Sequence, residues 1–160
     1  MLYLQKLRKR NIWLIIRYLI IRHQMLAPKF DFKCYIDFYK KDFISDHFVL
    51  CNKGKILGIA QVVPLSEEAV ELRRFAIIKK YQKQKYGKRF IACLISYLAE
   101  NKELRYIGLL AQMHNVNFYR KVGFELISEE IINDVYIARM GGMVNIDIHT
   151  IVEQSKNSSK

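Results

Sequence analysis

The sequence predicts an α/β domain built on a mixed β-sheet. Two runs rich in Val, Ile and Leu first pair as a hairpin, and later runs of this kind alternate with segments of helical periodicity. Size is the third observation, because 160 residues with 51% apolar content can bury one core of ordinary domain size. We therefore expect one domain over residues 1–145, followed by a polar tail over residues 146–160.

Residues 2–25 are expected to form one or two helices. Five apolar residues recur there at helical spacing: Ile12, Ile15, Ile16, Leu19 and Ile20. Such a stripe normally packs on a sheet, so the stripe and Trp13 are predicted to lie in the core, with a membrane-surface role as the alternative. Pro28 ends the helical segment. Arg17 interrupts the apolar run, which falls short of the roughly 20 residues of a spanning helix, so no transmembrane segment is expected.

The remaining elements follow in chain order. A hairpin is predicted over residues 47–63, turning at Asn52-Lys53-Gly54. A third strand covers residues 69–78, and a helix begins near Gly87 with one apolar face formed by Phe90, Ile91, Leu94, Ile95 and Leu98. A strand over 104–112, a short helix over 115–121 that stops at Gly123, and strands over 124–132 and 134–140 complete the fold.

Charge and cysteine content restrict the classes of function. The 27 basic and 15 acidic residues give a net charge of +12, which favours an anionic partner. Three cysteines without C-x-x-C spacing argue against a zinc site or a disulfide framework, and a reducing cytoplasm is the expected compartment. The four histidines are scattered without metal-ligand spacing, so no metal is expected.

The loop that follows the third strand has the chemistry of an anion site. Six basic residues lie between Lys79 and Arg89, just where the helix near Gly87 begins. The start of a helix presents unpaired backbone N–H groups and a positive dipole end, which together attract phosphate. The glycine spacings of a P-loop or a dinucleotide fingerprint are missing. The loop is therefore predicted to bind a pyrophosphate in another way.

Three stretches resemble the GNAT superfamily, the GCN5-related N-acetyltransferases. Residues 82–87, QKQKYG, resemble the family loop Q/R-x-x-G-x-G/A, and NFYRKVGFE resembles its closing motif. The arginine-bearing helix and the aspartate-rich segment before residue 50 resemble a bacterial subgroup, so the similarity covers about residues 12–141. Lys85 stands where the family has its middle glycine. A lysine in a left-handed conformation costs about 1 to 2 kcal/mol.

The resemblance implies a fold, a co-substrate and a set of binding residues. The fold is a mostly antiparallel mixed sheet with helices on both faces and a cofactor groove between two splayed central strands. The co-substrate is acetyl-CoA, with its pantetheine arm held by the backbone of Phe75, Ala76 and Ile77. Its pyrophosphate would be held by Gln82, Lys83, Gln84, Lys85, Tyr86, Gly87 and Lys88. Gln112 and Asn115 line the same groove, or serve only as a strand end and a helix cap.

Two further residues are candidates for catalysis. An ammonium with a pKa near 10.4 must lose a proton before it attacks a thioester. Glu71 is the candidate base, as in the histone-modifying branch, although an ion pair with Arg73 or Arg74 is the alternative. Tyr119, whose phenol has a reference pKa near 10 against about 8.5 for a thiol, is the candidate proton donor to the thiolate. An aromatic packing role beside Phe118 is its alternative.

The expected function is acetyl transfer from acetyl-CoA to a primary amine of a small molecule or peptide, by direct attack in a ternary complex. Strongly basic protein acceptors are disfavoured unless Asp31, Asp37, Asp42 and Asp46 line the entrance. The main alternative is a non-catalytic module whose basic N-terminal helices bind anionic membrane or, less favoured, nucleic acid. An acyl-homoserine lactone synthase is a third alternative. A homodimer is permitted.

Overall fold

The computed structural model describes residues 1–26, 42, 44–132 and 134–144. Within these ranges the strands are β1 (Leu2–Lys6), β2 (Asp46–Asn52), β3 (Lys55–Pro64), β4 (Ala69–Ile77), β5 (Tyr106–Gln112), β6 (Glu125–Ile132) and β7 (Val135–Met143). The helices are α1 (Ile12–Leu26), α2 (Tyr86–Leu98) and α3 (Val116–Arg120), with 3₁₀ turns at Lys79–Tyr81 and Met113–Asn115. Pro28, Asp31, Cys34, Asp37 and the tail over 146–160 lie outside the described residues.

The strands form a mixed, mostly antiparallel sheet in the order β1-β2-β3-β4-β5-β7-β6. The pairs β1–β2, β2–β3, β5–β7 and β6–β7 are antiparallel. The β4–β5 pair is parallel over four residue pairs, from Ala69 and Tyr106 to Leu72 and Leu109. The fold class expected from the sequence is confirmed.

The chain divides into two compact units. The first unit contains Met1–Pro64 and Arg73–Gly87, and the second contains Leu65–Leu72 and Lys88–Lys160. In the first unit, Tyr18, Val49, Cys51, Ile56 and Ile59 form a buried cluster. In the second unit, the apolar face predicted for α2 is buried, and so are the alternate β5 residues Ile107, Leu109 and Ala111. The expectation of one domain ending near residue 145 stays a prediction.

The hairpin between β2 and β3 turns as predicted. Val49, Leu50, Ile56 and Ile59 are branched or aliphatic side chains suited to a buried strand surface, and all four are buried. At the turn, Lys53 has a φ of 48° and Gly54 a φ of 74°. Positive φ at both central residues is the backbone that a two-residue hairpin requires.

The helical prediction for residues 2–11 is wrong. Leu2–Lys6 form β1, which pairs antiparallel with β2 from Leu2 opposite Asn52 to Lys6 opposite Phe48. The segment begins with Leu2, Tyr3 and Leu4 in succession, and Tyr has a strand preference. Pairing with a strand more than 40 residues away decided the conformation, and a local helical pattern does not contain that information.

The predicted orientation of the first helix is also wrong. Trp13 is 81% exposed, and Ile12, Ile16, Leu19 and Ile20 are exposed too. The opposite face points inward, with Tyr18 and Arg22 buried and Leu14 and Ile21 packed against the core cluster. The polar atoms of Tyr18 and Arg22 have specific partners in the interior, described below, and these partners set the orientation of the helix.

The second half of the fold follows the sequence prediction closely. Helix α2 begins at Tyr86, one residue before the expected Gly87. Helix α3 ends at Arg120, and Gly123, with a φ of 93°, follows it in the left-handed conformation that terminates helices. β6 and β7 form the predicted closing pair, with a register shift between Leu126 and Ser128.

Candidate functional site

The loop of residues 82–87 has an unusual backbone. Lys83 has a φ of 60° and Lys85 a φ of 62°, so two lysines lie in the left-handed region that favours glycine. Lys85 therefore adopts the conformation expected of the residue that replaces the motif glycine. Such strain, at about 1 to 2 kcal/mol for each residue, persists only where the surrounding structure fixes it, and it concentrates at functional sites.

Two glutamine side chains hold the loop in this shape. Gln82 Nε2 donates to the carbonyl oxygen of Ile77 at 2.8 Å, and Gln84 Nε2 donates to the carbonyl oxygen of Lys80 at 2.9 Å. Both amides are thus used to fix the loop backbone. The Tyr81 and Tyr86 rings meet edge to face at 6.3 Å between centroids. The loop is pre-shaped by its own side chains.

The start of α2, at Tyr86, is the candidate position for an anion. The first N–H groups of a helix have no partner within the helix. Donors at a helix start combined with a positive dipole end and nearby lysines suit an anion.

Strand β4 is irregular just before its predicted binding residues. Arg74 has a φ of 49°, which interrupts the extended backbone ahead of Phe75. Ala76 packs against the core cluster of the first unit, and Ile77 is buried. The carbonyl of Ile77 is the one that Gln82 engages. The three residues predicted to hold the pantetheine arm therefore follow a break in the strand.

The sequence did not predict a buried ionic cluster in the first unit. Asp42 lies between two arginines, with Oδ2 at 2.7 Å from Arg22 Nη1 and Oδ1 at 2.5 Å from Arg74 Nη1. All three side chains are largely buried. Arg74 therefore contributes its charge to the interior of the first unit and not to its surface. Burial lowers the pKa of Arg74 to about 10, although Asp42 acts against this shift.

Four polar residues complete this cluster. Gln61 Nε2 donates to Asp42 Oδ1 and to Ser45 Oγ, each at 2.9 Å. His47 Nε2 is 3.2 Å from the carbonyl oxygen of Asp42, so this nitrogen carries the proton, and Nδ1 accepts from the Tyr18 hydroxyl at 2.9 Å. The sequence held one signal of this arrangement: Tyr18 and Arg22 are four residues apart, on one helical face.

Asp42 and Asp46 are occupied by internal cations. Asp46 pairs with Lys6 at 2.6 Å, and Asp42 pairs with the two arginines described above. Neither carboxylate is in the unpaired state that would attract a strongly basic acceptor. The other two aspartates of that expectation, Asp31 and Asp37, lie outside the described residues.

Glu71 lies in the second unit, on β4. Its side chain is buried, and the residue is opposite Gly108 in the β4–β5 ladder. Gly108 is in turn opposite Gly141 on β7, so side-chain alternation places Glu71, Tyr106 and Arg139 on one face of these strands. Arg74 is paired with Asp42, and an ion pair of Glu71 with Arg73 or Arg74, considered from the sequence, stays a prediction. A carboxylate at this place has both a cation and a phenol near it.

Tyr119 is buried on the short helix α3. Its ring meets Phe118 at 5.1 Å and Phe124 at 5.9 Å between centroids, both edge to face. Burial raises the pKa of Tyr119 to about 12. The phenol therefore keeps its proton at neutral pH. Both expectations from the sequence, aromatic packing and an available proton, are compatible with this environment.

Gln112 and Asn115 flank a 3₁₀ turn in the second unit. Gln112 is the last residue of β5 and Asn115 precedes α3, but neither side chain makes a capping hydrogen bond. Gln112 and Asn115 therefore occupy the strand end and the helix-cap position of the structural alternative, without a capping hydrogen bond from the Asn115 side chain. Their role towards a ligand stays a prediction.

The family of the chain follows from its sequence. Residues 44–126, just over half of the chain, match the model of the acetyltransferase (GNAT) domain. The protein therefore belongs to the GNAT acetyltransferase family.

Solved structures share the fold at low sequence identity. Escherichia coli ElaA aligns with a TM-score of 0.75 at 17% identity, over 89% of this chain and 99% of that one. An aminoglycoside 6'-N-acetyltransferase complexed with coenzyme A aligns with a TM-score of 0.73 at 11% identity, over 90% and 98%. A GNAT family acetyltransferase from Elizabethkingia anophelis with acetyl-CoA bound gives 0.65 at 16% identity, over 89% and 97%.

The described residues include neither a candidate membrane-spanning helix nor a candidate metal site. None of the helices described is both long enough and apolar enough to cross a bilayer. No group of three or more His, Cys, Asp or Glu side chains in the described ranges is arranged to hold a metal ion.

Proposed function

We propose that the protein transfers the acetyl group of acetyl-CoA to a primary amine of a small molecule or peptide, by direct attack of the amine in a ternary complex. The loop of residues 82–87 carries this proposal. It places two left-handed lysines just before the start of α2, where the first N–H groups have no partner within the helix, in a chain of the acetyltransferase family. Successive N–H groups in such a backbone form a concave site for phosphate oxygens.

The end of β4 and the loop that follows it supply most of the proposed co-substrate contacts. N–H groups of residues 84–88 and the ammonium groups of Lys83 and Lys85 would hold the diphosphate. The side chains of Gln82 and Gln84 fix the loop and are assigned a positioning role, since they bind backbone carbonyls. Backbone groups of Phe75, Ala76 and Ile77, after the break at Arg74, would hold the pantetheine arm as an added strand is held. Bound acetyl-CoA supplies an activated acetyl group as a thioester.

Removal of a proton from the acceptor is assigned to Glu71 or to water ordered by it. The ammonium form of an amine cannot attack, because its nitrogen has no lone pair. Glu71 is buried and shares a face with Tyr106 and Arg139, so the carboxylate sits among groups that can orient a water molecule. The amine nitrogen then forms the new bond to the carbonyl carbon, and the carbon–sulfur bond breaks.

Tyr119 is assigned to the departing sulfur. A phenol with a pKa of about 12 is a weaker acid than a thiol, whose pKa is near 8.5. Complete transfer of its proton to a free thiolate is therefore uphill, and the expectation of simple acid catalysis is too strong. Hydrogen-bond donation from Tyr119 to the developing thiolate fits the pKa order better, with the final proton supplied by solvent or by the proton that the amine loses.

Two measurements test this proposal. Calorimetric titration with acetyl-CoA should show saturable binding at one molecule per chain, and free-thiol release across a panel of amines should identify an acceptor. Acceptors with a single amine are expected to outperform lysine-rich peptides, since Asp42 and Asp46 are already paired. Failure of the wild-type protein to bind acetyl-CoA would overturn the proposal. Binding without turnover on any amine would favour a non-catalytic module.

A further inference from the structure

Helix α1 has a continuous apolar face that is exposed. The five residues of this face, named here the α1 face, are Ile12, Trp13, Ile16, Leu19 and Ile20, with exposed fractions of 64%, 81%, 42%, 44% and 50%. Their spacing places all five on one side of the helix. Single exposed apolar residues are ordinary, but a contiguous group of this size marks an interaction site.

The helix cannot bury this face by turning about its axis. Its opposite side carries Tyr18, which hydrogen-bonds to His47, and Arg22, which pairs with Asp42. Turning the helix would expose these partners and leave buried polar atoms unpaired, which costs several kcal/mol for a buried ion pair. The outward direction of the α1 face is therefore fixed by the cluster beneath it.

The surroundings of the α1 face are strongly basic. Residues 1–26 contain six Lys and Arg and no Asp or Glu. Arg8, Lys9 and Arg10 are exposed immediately before the helix, and Arg17 is exposed beside the α1 face. Cations at the N-terminal end of a helix oppose its dipole, and the first turn of α1 has no acidic residue to offset them. The basic residues at the start of α1 are therefore electrostatically unfavourable, and an anionic partner would reduce this unfavourable interaction.

Three kinds of partner can be compared with this pattern. A second copy of the chain docked through the same face would bring its basic residues against those of the first, since a two-fold interface is self-complementary. A nucleic acid would accept the cations but offers no apolar medium for Ile and Leu side chains. An anionic lipid bilayer offers both, because its headgroups attract cations and its acyl boundary takes up apolar side chains.

We infer that α1 binds the surface of anionic membranes, lying in the plane of the bilayer with the α1 face in the acyl boundary and Arg8, Lys9, Arg10 and Arg17 among the lipid headgroups. The α1 face extends from Ile12 to Ile20, which is about 13 Å at 1.5 Å per residue and gives about two and a half turns of contact. The long stem of Arg17 lets its charge reach the headgroups from beside the apolar face. This inference is independent of the proposed acetyl transfer.

The single tryptophan of the chain makes the test direct. Trp13 is the only one of its kind in the sequence, so all indole fluorescence reports on the α1 face. The full chain is mixed with vesicles of phosphatidylcholine alone or of phosphatidylcholine with phosphatidylglycerol, at low and high salt. With the anionic vesicles we expect a blue shift of Trp13 emission, quenching by a brominated lipid, and co-sedimentation that weakens at high salt.

Matched variants separate the apolar contribution to membrane binding from the electrostatic one. Ile12→Gln with Ile16→Gln removes apolar side chains from the α1 face, and Ile127→Gln with Ile131→Gln removes equally exposed ones from β6 as the control. Arg8, Lys9 and Arg10 changed together to Gln remove three charges, and Lys55, Lys102 and Arg120 changed to Gln are the control. The charge variant should bind anionic vesicles about a hundredfold more weakly, at about fivefold per charge. Both control variants should bind as the wild type does.

Circular dichroism and size-exclusion chromatography with light scattering accompany each variant. Equal loss of binding in test and control variants, or binding to neutral vesicles as strong as to anionic ones, would overturn the inference. A wild-type dimer that Ile12→Gln with Ile16→Gln converts to monomer, without vesicle binding, would overturn it in favour of a second copy. Vesicle binding lost only in the α1 variants, with folding retained, supports it.

Discussion

The two compact units differ in charge and in the way they are held together. By sequence the first unit has 18 Lys and Arg against four Asp and Glu, a net charge of +14, and the second has nine against eleven, a net charge of −2. Among the described residues, four of the five non-glycine residues with positive φ, Lys53, Arg74, Lys83 and Lys85, belong to the first unit. The first unit therefore contains both the excess positive charge and most of the described strained backbone positions.

The ion pairs show the same difference. In the first unit Asp42 is enclosed with two arginines, whereas the described ion pairs of the second unit, Arg105–Glu68 and Arg139–Glu130, are exposed. Buried charges must keep their partners, while exposed pairs contribute little. The second unit thus depends mainly on apolar packing, and the first depends on apolar packing together with specific polar contacts.

The largest expected effect is that of Asp42→Asn. This change leaves two buried guanidinium groups without their shared carboxylate, so the free energy of unfolding should fall by about 3 to 5 kcal/mol in urea denaturation. Asp46→Asn and Glu130→Gln remove exposed partners and should each lower the free energy of unfolding far less. If Asp42→Asn lowered the free energy of unfolding as little as these controls do, the two units would not differ in their dependence on ion pairs.

Tyr119→Phe tests the assigned chemistry of the second unit. Loss of one hydrogen-bond donor to a developing anion should lower kcat by about a hundredfold or more, with acetyl-CoA binding unchanged in calorimetry. The packing with Phe118 and Phe124 is kept, because the ring is unchanged. Tyr97→Phe, on the exposed side of α2, is the control and should leave kcat as it is. An unaltered kcat in Tyr119→Phe would leave this residue with a packing role alone.

Lys85→Gly tests the strained loop of the first unit. Glycine removes a left-handed cost of about 1 to 2 kcal/mol but loses about 0.5 to 1 kcal/mol through its freedom in the unfolded chain. Unfolding should therefore require slightly more free energy, while acetyl-CoA binding weakens several-fold at low salt through loss of an ammonium group. Lys53→Gly relieves similar strain in the hairpin turn and should leave acetyl-CoA binding unaffected. Equal binding by both variants would exclude a phosphate contact by Lys85.

The smallest expected effect concerns pH. Burial lowers the pKa of His47, and in its neutral form Nδ1 accepts the Tyr18 proton. A lowered folded-state pKa gives stability that is present above the unfolded value near 6.5 and lost as the pH falls below it. Urea denaturation should therefore show a declining free energy of unfolding between pH 7 and pH 5. His47→Gln should reduce that decline, and His23→Gln, at an exposed position, should preserve it.

The accuracy of the elements predicted from sequence also differs between the two units. The strands and helices of the second unit were predicted within a few residues, because α2, β5 and the β6–β7 pair each carry one clear period and end at turn residues. The N-terminal prediction failed, because residues 2–26 are apolar on more than one side and their pattern fits several structures. Of the candidate site, the left-handed Lys85 followed from its motif, and the Asp42 cluster did not.

The sequence by itself determined the family, the hairpin, the helix that follows the basic loop, and the candidate site residues, since each of these depends on neighbours within about ten residues or on a motif. Only the tertiary structure decided that Leu2–Lys6 is a strand, that Trp13 faces outward, and that Arg22 and Arg74 share Asp42. These features bring together residues 20 to 50 positions apart. Their stability comes from hydrogen bonds and ion pairs that no local periodicity encodes.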